Sequence, residues 1–254
     1  MRRHGLVLGL LVACLLWVSP AWAVIARVGT PVGNNVGASS SVSRTYAPTE
    51  GNFVAVWVVT LNTAPTAITS VTDDGATGGS VYAAVFNDNY ANNTNWQVAL
   101  FYTLSAKASV TTITANYPSA SAGVIIVAEY SGLAAASALD TNSAQASGAS
   151  GTTQTSDAIT PTAGLNELLL GYFFQNTNQD DFTATSPMSL VLNQNESLAS
   201  GANLGATDQL VTSTTGNYTA GTTTAGAVNW DAYIAAFKAA AAPTAIRRRS
   251  KGPF

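Results

Sequence analysis

Charge is what this sequence has least of. Asp, Glu, Lys and Arg make up 9% of its 254 residues, against roughly 25% in ordinary globular chains. It has one cysteine, Cys14, and one histidine, His4. Both fall in the opening stretch MRRHGLVLGLLVACLLWVSPAWA, which reads as a secretory leader. Arg2 and Arg3 supply the positive start, Gly5 to Val18 the apolar run, and Ala21-Trp22-Ala23 a small-x-small cleavage site. That run is too short for a bilayer-spanning helix, which takes roughly 20 apolar residues. Leu11-Val12-Ala13-Cys14 resembles a bacterial lipobox. The apolar run continues through Cys14 to Val18, which favours cleavage after Ala23 over lipoprotein processing.

Cleavage there leaves a mature chain with neither histidine nor cysteine. A Ser-His-Asp triad, a Cys-His pair and a zinc site built from Cys or His are then excluded. Disulfide staples are excluded as well, so an exported chain must be held by its core. Residues 24–241 are enough for one all-β domain of sandwich size, with 242–254 as a basic tail.

The charge that remains is uneven. All 13 carboxylates lie beyond the leader, whereas Arg2 and Arg3 leave with it, so 8 basic residues face them. Four of those 8 are Arg247, Arg248, Arg249 and Lys251 in the tail, which reads as disordered. The body keeps only Arg27, Arg44, Lys107 and Lys238. A body this acidic repels phosphate backbones, so nucleic acid is not an expected partner.

What the chain does have is strand signal. Runs rich in β-branched and aromatic residues recur at Phe53 to Leu61, Ser80 to Phe86, Trp96 to Leu104, Val110 to Tyr117, Val124 to Tyr130, Leu168 to Phe174, Met188 to Leu192, Gln209 to Thr212 and Val228 to Phe237. Clusters of Gly, Asn, Asp, Pro and Ser separate them. In NWQVALFYTL, Trp96, Val98, Leu100, Tyr102 and Leu104 alternate onto one face. FVAVWVV and LLLGYFF are apolar on both faces, as in central strands of a sandwich. No segment sustains helical periodicity, and NWDAYIAAF reads as a final strand. The expected fold is all-β: a two-sheet antiparallel β-sandwich, jelly-roll-like or Ig-like.

A weak internal duplication accompanies this pattern. APTEGNFVAVWVVTLNT (47–63) resembles TPTAGLNELLLGYFFQNT (160–177), and NYPSASAGVIIVAEY (116–130) resembles NYTAGTTTAGAVNWDAY (217–233). The polar stretch DTNSAQASGASGTTQTSD (140–157) reads as the linker between the halves. Residues 24–43 read either as a frayed start or as a strand to be donated to another copy.

Two places could carry chemistry. Asp73-Asp74-Gly75 lies between a short strand, AITSVT, and a longer one. Asp-Gly there is first a turn signal, since Asp caps its own backbone and Gly accepts positive φ. The rival is a calcium role for Asp73 and Asp74, with Asp88, Asp180 or Asp181 completing it in space, although the regular EF-hand spacing is absent. The second place is the Asn-rich loop before Trp96. Tyr90 and Trp96 could stack on a sugar while Asp88 and Asn92 bind its hydroxyls, against the ordinary use of such rings in a core. Calcium aside, no cofactor is expected. Glu129, in EYSGL, is a strand carboxylate among apolar neighbours. A glycosidase needs two carboxyls about 5 to 9.5 Å apart, and no second partner can be named.

Several of these motifs together carry a resemblance: the GNFVAVWVV strand, the SVTDDG hairpin, EYSGL, LNELLLGYFF and the closing W-x-A-x-x-A-A-F-K. The pattern resembles secreted bacterial β-sandwich surface domains, over nearly all of the mature chain. The resemblance implies a jelly-roll-like or immunoglobulin-like sandwich outside the cell, and it implies no catalytic or binding residues. The function expected is a secreted or cell-surface, non-enzymatic binding module for a glycan or another extracellular polymer. The alternative is a structural subunit of a surface layer or filament, self-assembled through edge strands.

Overall fold

The computed structural model describes residues 24–62, 67–120, 122–162, 166–176, 181–195, 202–211 and 216–241. The leader, the lipobox at Cys14, the basic tail, Asp180 and Glu196 lie outside the described residues. Among the described residues the fold is all-β and antiparallel, with no helix. No helix of the described residues is long and apolar enough to cross a membrane.

The chain runs β1 (Ala26–Val36), β2 (Ser39–Thr45), β3 (Phe53–Leu61), β4 (Ser70–Asp73), β5 (Ala83–Asn89), β6 (Trp96–Thr103), β7 (Thr112–Ala120) and β8 (Ala122–Ser131). It continues with β9 (Leu139–Asn142), β10 (Ala146–Thr155), β11 (Glu167–Gln175), β12 (Thr183–Ala184), β13 (Ser189–Asn195), β14 (Asn203–Val211) and β15 (Gly221–Lys238). One sheet has the order β1-β8-β3-β6-β5. A second has β10-β15-β11-β14-β13, with β9 and β12 also paired to β15. A third, smaller sheet has β2-β7-β4. In both large sheets the strand that follows a Pro-Thr pair, β3 or β11, is central.

The two large sheets face each other across one core. Trp57, Val59, Val98, Leu100, Val124 and Ile126 from the first meet Leu170, Tyr172, Phe174, Leu204, Tyr233 and Phe237 from the second. The inward alternation of β6 falls as expected, with Trp96, Val98 and Leu100 buried there and Tyr102 and Leu104 packed at its margin. The rings interlock: Phe86 stacks on Tyr233 at 3.8 Å, and Phe53 meets Phe237 edge-on at 4.9 Å.

A second layer explains why FVAVWVV and LLLGYFF are apolar on both faces. The outer face of the first sheet, at Val54, Val56, Val58, Ile125 and Val127, is covered by Val42, Val71, Ile113 and Ala115 of the small sheet. The outer face of the second, at Leu169, Phe173, Ile234 and Ala236, is covered by Ile159, Phe182 and Met188. With both faces covered, period-2 alternation disappears and a continuous apolar run is what burial demands.

Three expectations are corrected. Residues 24–43 are not frayed: β1 pairs with β8 and β2 with β7. The polar stretch 140–157 is not a plain linker, because it holds β9 and β10, both laid against β15. It escapes pattern reading because β10, ASGASGTTQT, is an edge strand with mostly exposed small residues. Its glycines have a reason of their own: a Cβ at Gly148 would lie 2.7 Å from the Trp230 ring, and one at Gly151 would lie 3.1 Å from it. Finally, β14 begins at Asn203, well before the Gln209 to Thr212 run that announces it.

Candidate functional site

Asp73 and Asp74 form a turn held by the chain's own donors. Oδ1 of Asp73 accepts the Gly75 and Ser80 amides, both at 3.0 Å, and Oδ2 accepts the Tyr82 hydroxyl at 3.2 Å. Gly79 (φ +76°) closes against that carboxylate, where a Cβ would stand 2.7 Å from Oδ1. Asp74 accepts the Thr111 and Thr112 amides at 2.7 and 2.9 Å and the Thr111 hydroxyl. Those Thr111 and Thr112 hydrogen bonds hold its pKa down to about 2. A cation at this turn would have to compete with six chain donors. Among the described residues no three of His, Cys, Asp or Glu gather as a metal-ligand group.

The rings expected to stack on sugar are in the core. Tyr90 is fully buried and Trp96 is 2% exposed. Both pack on Phe174, at 4.9 Å and 5.0 Å between centroids. Neither offers a free face, which corrects the stacking role given to them. The reason is strand register: Trp96 opens β6 on its inward side, and Asn93 closes a turn that folds Tyr90 back over it. Asp88 and Asn92 do lie on the surface near these rings. Asn92 donates to the carbonyls of Gly148 and Trp230, and Asp88 accepts the Tyr233 hydroxyl at 3.4 Å. This loop is a seam between the sheets.

Glu129 is likewise structural. It is 3% exposed and accepts the Thr49 amide, the Asn52 side chain and the Tyr46 hydroxyl. It thereby clasps the turn that leads into β3. Asp140 plays the corresponding part before β11, accepting the amide and hydroxyl of Thr162 beside Lys238. Burial pushes the Asp140 pKa up, but Thr162 and Lys238 outweigh it and hold the group below its ordinary value.

The concave site that does bring polar groups together was not singled out by sequence. It is an open groove of about 430 Å3 at the seam of β1, β13 and β14, lined by Arg27, Pro187, Ser189, Asp208, Gln209 and Leu210. That volume lies within the roughly 300–1,000 Å3 of small-molecule sites. Arg27 reaches across from the first sheet to Oδ2 of Asp208 at 3.3 Å, and Tyr130 donates to the same oxygen at 3.0 Å. Both donors use Oδ2. Burial raises the Asp208 pKa, with Arg27 and the Tyr130 hydrogen bond opposing it. Leu210, 50% exposed, gives the groove an apolar wall. The signal was present but faint: Leu204, Ala206 and Asp208 alternate inward along β14. A carboxylate in that register is a buried charge that needs partners. The same holds for Asp231 on β15, inward with Tyr233, Ala235 and Phe237.

A carboxylate, a guanidinium, an amide and a hydroxyl around an apolar wall can bind hydroxyls and amides in fixed orientation. Asp208 is the single carboxylate among the described residues lining the groove. Comparison with protein families, with curated proteins and with solved structures finds no match to this chain.

Proposed function

We propose that the chain is an exported, non-enzymatic binding module for a glycan or another extracellular polymer, and that the groove between Arg27 and Leu210 is where it binds. The observation that carries this reading is the Tyr130–Asp208–Arg27 arrangement, a groove-lining carboxylate held at one oxygen by both donors. Sugar hydroxyls suit such a group because they donate and accept in pairs, while Pro187 and Leu210 suit the apolar face of a pyranose. Export is supported by the leader and by a mature chain that needs no thiol chemistry.

The frame is read as a two-sheet sandwich, jelly-roll-like or immunoglobulin-like, from secreted bacterial surface proteins, and as two copies of one unit. Support comes from the strand orders: β1-β8-β3-β6-β5 matches β10-β15-β11-β14-β13 position by position. The buried Glu129 and Asp140 clasps on Thr49 and Thr162 support it too.

The test is a polysaccharide array probed with residues 24–254, with and without calcium. Retention on particular polymers that drops at least tenfold in Asp208→Asn and Leu210→Ala, both folded by circular dichroism, is expected. Specific retention untouched by either variant would move the site elsewhere, and a blank array in both conditions would remove the reading. Calcium-dependent retention lost in Asp73→Asn would assign the cation to the Asp73-Asp74 turn.

A second reading, a self-assembling surface-layer or filament subunit, is favoured by β5. This strand pairs on one side only, and Val81, 84% exposed, stands just before it over an apolar hollow of about 310 Å3. Regular polymers in negative-stain images, abolished by Val81→Glu with Ala84→Lys, would establish that reading.

A further inference from the structure

Asp231 stands where the inter-sheet core would ordinarily take an apolar side chain. It alternates inward on β15 with Tyr233, Ala235 and Phe237, and it is fully buried. Its Oδ2 accepts the Ala91 amide at 3.0 Å and the side-chain amide of Gln145. Gln145 also donates to the Asn89 carbonyl at 2.8 Å. Asn92 reaches the Gly148 and Trp230 carbonyls from the same loop. One carboxylate therefore ties the β5–β6 loop of the first sheet to β15 and to Gln145, just before β10, of the second. Its other oxygen, Oδ1, is enclosed and takes no hydrogen bond.

The charges around it do not favour a carboxylate anion. Among the described residues no basic side chain pairs with Asp231. From β5 it faces Asp88, which is of like sign. From the loop it faces Tyr90, from its own strand Tyr233, and from β11 Tyr172, all neutral hydroxyls. β10 brings no titratable group at all. The Tyr90 hydroxyl is enclosed in the same place, with the Asn92 side chain beside it.

We propose that Asp231 is a proton-operated latch: with Oδ1 protonated the β5–β10 seam is closed, and loss of that proton lets the 89–92 loop open and solvate the anion. Burial, opposed by the Ala91 and Gln145 bonds and aided by Asp88, lifts its pKa from 3.8 to about 7. In the open loop the carboxyl returns to its ordinary value. Opening is therefore coupled to release of one proton between those two pH values. The seam is tightest in acid and loosens toward neutral pH.

Hydrogen exchange at the Ala91 amide reads the latch directly, in the complete mature chain. After correction for intrinsic exchange, its protection should fall by up to about tenfold per pH unit between about pH 4 and 7 and then level off. In Asp231→Asn it should be flat over that range. The carboxyl carbon of Asp231, followed by NMR in the wild type, should titrate near neutrality, and this needs no variant to fold. A carboxyl midpoint near 4 would overturn the proposal. So would an Ala91 profile that is unchanged in Asp231→Asn. Millimolar calcium that restores Ala91 protection at pH 8 through Asp231 would make this a cation site, and would overturn it too.

Discussion

The indole nitrogen of Trp57 donates to the carbonyl oxygen of Gly171 across 3.0 Å, joining the central strands of the two large sheets inside the buried core. The Tyr172 hydroxyl returns a bond of 3.0 Å to the Val58 carbonyl. Polar bonds between sheets have a fixed direction and length, which apolar contact lacks, so this pair sets how β3 lies on β11. Both groups are buried, and leaving either unpaired costs more than the bond itself contributes.

Trp57→Phe should lower unfolding free energy by roughly 2 to 4 kcal/mol, from a lost buried hydrogen bond and the space the smaller ring leaves. Urea denaturation measures it. A loss below about half a kcal/mol would mean the sheets settle onto each other without that bond.

Glu129→Ala removes the acceptor for Thr49, Asn52 and Tyr46 together. A cost of about 2 to 4 kcal/mol is expected, with faster hydrogen exchange at Thr49. Glu129→Gln should recover part of it, because one carbonyl oxygen remains to accept.

Global stability should fall as pH rises from about 4 toward 7. Asp231 and Asp208 both have raised pKa values in the fold, so the folded chain holds protons that the unfolded chain releases. Their contribution is complete below the ordinary carboxylate value and is lost as pH rises through the folded value, about 7 for Asp231. For Asp231 alone the span is as much as roughly 4 kcal/mol. Thermal melts from pH 4 to 8 test the slope, and Asp231→Asn should flatten most of it.

Gly148→Val should unseat Trp230, since the new Cβ would begin 2.7 Å from the ring. Tryptophan emission should shift to longer wavelength and the melting temperature should drop. An unshifted spectrum would show that β10 can move away while the ring stays.

Much of the frame was legible from local pattern. Strong alternation in NWQVALFYTL and the doubled apolar runs of β3 and β11 put those strands in place, since a strand's own side chains state which faces are dry. The Asp73 turn was legible too, because Asp and Gly meet its requirements within a few residues. β10 was not. Its alternation is between small and polar groups, and it is a strand only because β15 lies beside it.

The candidate site was scarcely legible. Tyr90 and Trp96 sit in an Asn-rich context that suggests a wet surface, yet Phe174, 78 residues beyond Trp96, covers both. Arg27 and Asp208 meet across 181 positions of chain. Asp231 looks like an ordinary polar residue near a strand start until the β5–β6 loop of the first sheet encloses it.

The sequence by itself therefore determined the scarcity of charge, the confinement of cysteine and histidine to the first 14 residues, the all-β class and the tight turns. Each follows from side-chain chemistry acting within a few residues. Only the tertiary structure decided which polar groups are buried, which rings are covered and which carboxylates share donors. Burial and pKa depend on what a second sheet places opposite a residue, and strand alternation names the face without naming its partner.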